Sequence, residues 1–144
     1  MGGGVSIPIH TITTAGDLEG FKLAIKKQKR KENLAQEKND NGETPLYVAA
    51  SLHHVELFEY ILELYSKKHA DVNEANNVGN TAFHVAAQKG YMDICQALVT
   101  ASADINVTNH VSISTLCLLL YHCRSHSVLF VFLFRALYNT TEWN

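Results

Sequence analysis

Two seven-residue segments constrain this chain more than anything else in it. Thr44-Pro45-Leu46-Tyr47-Val48-Ala49-Ala50 and Thr81-Ala82-Phe83-His84-Val85-Ala86-Ala87 agree in residue type at almost every position and start 37 residues apart. A glycine stands two residues before each threonine (Gly42, Gly79), and Ala70-Asp71-Val72-Asn73 is echoed by Ala103-Asp104-Ile105-Asn106. Self-similarity at such a period implies stacked units, because one small unit cannot bury its own apolar face.

The residue types of each unit predict a turn followed by two helices. Thr44 is suited to cap a helix through its hydroxyl, and Pro45 to the first helical position, where its missing N–H has no partner to lose. Ala49-Ala50 and Ala86-Ala87 allow neighbouring helices to approach closely, and Gly90 can supply the left-handed residue that ends a helix. A second helix follows in each unit, with Leu57, Tyr60, Ile61 and Leu64 in one and Ile94, Ala97 and Leu98 in the other at helical spacing. Asn41-Gly42 and Val78-Gly79 fall where a tight turn is expected, Asn-Gly being the stronger hairpin signal.

This pattern resembles the ankyrin repeat, whose signature is T-P-L-H-x-A at a period of about 33 residues. The expected fold is all-α: an ankyrin-repeat solenoid of helix-turn-helix units joined by β-turn fingers. A degenerate unit precedes the clear ones, because Ile7-Pro8-Ile9-His10 aligns with Thr44-Pro45-Leu46-Tyr47. Gly16-Asp17-Leu18-Glu19 with Phe21, Leu23 and Ile25 begins its second helix, whereas Thr11 to Thr14 stand where the small pair belongs. The first helix of that unit is therefore the less well encoded.

The register continues past the clear units but the chemistry does not. Ser114 lies 33 residues after Thr81, yet Ala86-Ala87 become Leu119-Leu120, Gly79 becomes Ser112 and Gly90 becomes Cys123. Overpacking of that kind costs roughly 1–3 kcal/mol per site. The apolar run Val128 to Phe134 then reverses the polar cap that ends a repeat array. Residues 1–6 are expected to be a flexible leader, 7–109 the repeat domain with units starting near 7, 44 and 81, and 110–144 a degenerate repeat or a non-repeat apolar tail. The preferred reading of the tail is a truncated or alternatively spliced sequence, ahead of a buried last repeat or a membrane-inserting segment. Ile113 to Tyr121 and Val128 to Phe134 each fall short of the roughly 20 residues that span a bilayer. With two good units between poor ones, marginal stability is expected, since at least three repeats are generally needed.

Composition narrows the function. The 144 residues are 47% hydrophobic and 18% charged with a formal net charge of -2, an ordinary globular make-up without the basic surface that nucleic acid demands. Cys95, Cys117 and Cys123 have no framework spacing, and the first 15 residues lack a secretory plan, so a reducing, cytoplasmic setting is expected and the sequons at Asn106 and Asn139 should stay unmodified. Met1-Gly2-Gly3-Gly4-Val5-Ser6 matches the N-myristoylation pattern with Gly2 as acceptor, and Lys22, Lys26, Lys27, Lys29, Arg30 and Lys31 could add the second signal that one lipid chain needs. A plain glycine leader and a solvated basic face is the preferred alternative. The lipidated form would sit at the inner face of the plasma membrane.

Little points to catalysis. His122 and His126 are spaced four apart around Cys123, but no second ligand pair accompanies them, so no metal site is expected. His10 and His84 hold the histidine position of the signature, where Tyr47 and Cys117 stand in the other units, which suits a structural role. No phosphate-loop, dinucleotide, hydrolase-elbow or zinc-protease motif occurs, Cys95 reads as a core position, and no cofactor is expected.

What the resemblance implies is a non-enzymatic, monomeric module that binds a protein partner through its fingers and concave face. Carried over by position, that face comprises Asp40, Asn41, Glu43, Ser51 and Leu52 in one unit and Asn77, Val78, Asn80, Gln88 and Lys89 in the next. Asn41 to Ala50 with Phe83-His84-Val85-Ala86-Ala87-Gln88-Lys89-Gly90 further resembles the first repeats of plant ankyrin proteins with a C-terminal PGG-type transmembrane domain, which act in stress and defence responses. The alternative function is a membrane-attached regulatory fragment of such a protein.

Overall fold

The computed structural model describes residues 8–27 and 34–109. Among these residues six α-helices form three pairs: α1 (Ile9–Ala15) with α2 (Leu18–Lys27), α3 (Pro45–Ser51) with α4 (Val55–Lys68), and α5 (Ala82–Lys89) with α6 (Met92–Thr100). The first helices form one layer in which α3 packs between α1 and α5, while α4 packs on α6. No β-strand occurs among the described residues, so the all-α repeat stack stands as expected. The expectations for Gly2, for Lys29 to Lys31 and for residues 110–144, including His122 and His126, lie outside the described residues.

Helix starts follow the threonines. Thr44 is extended, and its Oγ1 accepts from the Tyr47 amide at 3.2 Å, with Pro45 in the first turn. Thr81 does the same for His84, and the imidazole returns the favour: the Thr81 amide donates to His84 Nδ1 at 3.1 Å, completing a capping box. Nδ1 is therefore the acceptor and the ring proton sits on Nε2.

The degenerate first unit makes both of its helices. Thr13 occupies the place of Ala50 and Ala87, is fully buried, and silences its hydroxyl by donating to the Ile9 carbonyl at 2.8 Å. Ala49, Ala50, Ala86 and Ala87 are completely buried between the first helices, so their small size sets the spacing of the stack.

Gly16, His53 and Gly90 stand 37 residues apart and all turn left-handed at the close of a first helix. For a histidine that conformation costs about 1–2 kcal/mol. Offsetting contacts surround it: the His53 ring stacks on Tyr91 with centroids 4.3 Å apart, and Nε2 lies 2.9 and 3.1 Å from the two Asp93 oxygens. His54 reaches the other way, its Nε2 lying 3.1 Å from the Thr14 carbonyl oxygen. The two histidines thus tie the middle unit to both neighbours.

The longer 37-residue step has a simple origin in the middle unit. Helix α4 runs for 14 residues and α6 for 9, so α4 carries an additional turn at its C-terminal end. That turn brings in Tyr65, which is buried and donates to the Ala35 carbonyl at 3.0 Å. Phe58 and Tyr65 join Leu57 and Ile61 in the core, whereas the expected Tyr60 and Leu64 are only half-buried, as is Ala97 in α6. Tyr60 instead meets Phe21 of α2 edge-on, with ring centroids 6.3 Å apart.

Candidate binding face

Each finger is built by an asparagine that the sequence reading passed over. Asn39 closes the first turn by accepting from the Gly42 amide at 2.8 Å, while its side-chain Oδ1 accepts from the amides of Asn41 (3.0 Å) and Glu43 (2.9 Å). Asn76 repeats the arrangement with the amides of Gly79, Val78 and Asn80. Such side-chain capture of local amides is what makes asparagine a turn residue. The signal was legible as the same residue at the same place 37 positions apart.

The turn centres are Asp40-Asn41 and Asn77-Val78, and none of the four has a positive φ. Asn41-Gly42 is accordingly not the tip of a two-residue hairpin turn, which requires positive φ at both central positions. Gly42 follows the turn with φ +74°, where a Cβ would collide with Asn77 Oδ1 and come within 2.9 Å of its backbone nitrogen. Glycine is demanded there by close approach of the next finger as well as by φ.

Adjacent fingers are bonded edge to edge. The Asn77 amide donates to the Asn41 carbonyl at 3.0 Å and its side-chain amide to the Asp40 carbonyl at 2.9 Å, while Asn109 Nδ2 donates to Asn80 Oδ1 at 2.9 Å. Lys38 reaches across to the Ala75 carbonyl at 3.1 Å and lies 3.7 Å from Glu74 Oε2. At the far end of the first helices, Lys89 Nζ donates to the Ser51 carbonyl at 2.7 Å and sits 3.3 Å from its hydroxyl.

The ten residues expected on the face divide into two kinds. Asp40, Asn41, Leu52, Asn77, Val78, Gln88 and Lys89 are exposed, and Glu43, Ser51 and Asn80 are half-buried. Asn77, Asn80, Ser51 and Lys89 also spend polar groups on bonds between units, a second task that position alone did not reveal. Leu52 and Val78 are 42% and 56% exposed, and the only other large apolar side chain so exposed among the described residues is Leu23. Tyr47 lies buried beside Glu43 and Asn80: burial pushes its hydroxyl above the ordinary value, the nearby Glu43 carboxylate pushes it further, and a hydrogen bond with Asn80 pulls it back.

An open groove of about 510 Å³ lies in the second-helix layer, lined by Leu62, Tyr65, Val72, Ala97 and Thr100 with Glu59 and Glu63 at its rim. No group of three or more metal-type side chains gathers among the described residues, and no described helix is long and apolar enough to cross a membrane.

A family model for ankyrin repeats, in three copies, matches residues 8–109. No curated protein matches the chain.

Proposed function

Because the chain belongs to the ankyrin-repeat family, whose repeats are generally protein–protein interaction modules, we propose that it holds a protein partner across its finger tips and first-helix ends. One observation carries the assignment to this face. Val78 at a finger tip and Leu52 at the end of α3 both expose apolar surface, the first among polar groups organised by the fingers and the second beside the Lys89–Ser51 bond. Covering two half-exposed aliphatic side chains is worth roughly 1 kcal/mol each, a useful centre for an interface rimmed by polar residues.

Affinity capture with the full chain from its own cells, in parallel with a Leu52→Asp/Val78→Asp variant, tests this reading. Partners recovered by the native chain and lost by the variant support it. Equal recovery by both would move binding to another surface.

Finer features of the proposal rest on sequence. The resemblance of Asn41 to Gly90 to plant ankyrin membrane proteins supports a role in stress or defence signalling, and the cysteine pattern supports a cytoplasmic setting. The family is typically non-enzymatic, and we assign no catalytic residue. Lipidation of Gly2 would instead hold the same module at a membrane, and an unmodified N-terminus by mass spectrometry excludes that form.

A further inference from the structure

We propose that the finger face takes a basic segment of its protein partner, one in which Lys or Arg side chains flank an aliphatic or aromatic residue. This rests on the face being the binding surface and names the chemistry it selects. The residues of the face read from sequence as a nearly neutral set; the structure separates its charges along the face. Lys38 is held between units by the Ala75 carbonyl and Glu74, and Lys89 is folded onto Ser51. Lys38 is thereby paired with Glu74, while Lys89 keeps its charge at the far end of the first helices, away from the finger tips.

The carboxylates are left over. Glu37 and Asp40 are exposed, and among the described residues neither side chain has a hydrogen-bond or ionic partner. Glu43 accepts only from the neutral Asn39 amide at 2.9 Å, and its charge is felt by the Tyr47 hydroxyl behind it. The bonds from Asn77 to Asp40 and Asn41 set the Val78 turn directly alongside the finger that carries Asp40 and Glu43. An apolar contact on Val78 thus has carboxylates at its margin. A partner that covers such groups without bringing a cation leaves desolvated charge unpaired, whereas one that brings Lys or Arg turns the same groups into charge-assisted bonds. Phosphate-bearing surfaces, whether nucleic acid or anionic lipid, meet repulsion at this edge.

The test is selection from a displayed library of random peptides on the full chain. Each enriched peptide is then measured on three proteins: the native chain, Glu37→Gln/Asp40→Asn, and Leu52→Asp/Val78→Asp, with circular dichroism to establish that all three are equally folded. The first double variant removes charge without removing a hydrogen bond of the finger. Enriched peptides are expected to be net basic with at least one apolar side chain and to lose affinity as salt is raised. They should bind Glu37→Gln/Asp40→Asn about tenfold more weakly and the second variant not at all. Peptides that need Leu52 and Val78 but are acidic or uncharged, or that ignore the Glu37 and Asp40 changes, overturn the basic-segment inference while leaving the face intact. Peptides indifferent to Leu52→Asp/Val78→Asp, or no enrichment at all, overturn both readings. Preferential binding of phosphatidylserine vesicles or DNA also overturns it.

Discussion

Thr13 sits where the other units carry Ala50 and Ala87, and its burial is as complete as theirs. A sequence comparison that asks for alanine fails here, because it does not see that a β-branched residue can return its hydroxyl to the carbonyl four residues back and pass as a small apolar group. Thr13→Leu, by contrast, forces two methylenes' worth of bulk into the α1–α3 contact and is expected to lower stability by about 1–3 kcal/mol in chemical denaturation, with Thr13→Ala close to neutral. Helix starts were far more legible. Thr44, Pro45 and Thr81 act as their types demand, and the part that sequence hid was His84 in the role that glutamate or glutamine has in a capping box. Thr81→Ala should cost about 1 kcal/mol, and His84→Gln should retain most of the native stability by the same measurement.

Helix α4 is the element that departs most from its counterparts. The 37-residue step was plain in the sequence, but not where the extra residues went; a loop insertion would have given the same spacing. The apolar positions Leu57, Ile61 and Tyr65 continue one face into the additional turn, and it is Tyr65, tied to Ala35, that gives this turn a reason to stay helical. Burial drives the Tyr65 hydroxyl far above its ordinary value of 10.0, partly countered by a hydrogen bond with Thr44 and reinforced by Glu74 and Asp71. Since the folded state holds the phenol form, the stability this group confers is present in full below about pH 10 and is lost as the pH climbs beyond it. Alkaline unfolding followed by circular dichroism should therefore coincide with one tyrosinate absorbance step, and Tyr65→Phe should remove that step while lowering neutral-pH stability by about 1–2 kcal/mol. A tyrosinate step well separated from unfolding would contradict the burial account.

At the scale of the molecule, the stack depends on contacts that run in both directions from the middle unit. His54 binds back to α1 and His53 forward to α6, both fingers are bonded edge to edge, and Phe21 of the degenerate first unit is completely buried. Sequence gave the family and the two clear units. It did not give the bonds between units, because those use asparagine, lysine and histidine side chains whose partners lie 29 to 40 positions away. Nor did it give the distribution of charge along the face, which depends on where the fold holds Lys38 and Lys89. If the first unit belongs to the same cooperative body, Phe21→Ala should cost about 3–5 kcal/mol and shift the whole unfolding transition rather than a separate early phase. The central claim is that this repeat stack binds through its fingers and first-helix ends. Amide hydrogen exchange of the full chain, free and with its captured partner or a selected peptide, tests that most directly. The account predicts added protection at 40–43 and 77–80 and at the ends of α3 and α5 around Leu52 and Lys89. Protection confined to the α4–α6 groove around Leu62 and Thr100, with the fingers unchanged, would contradict it.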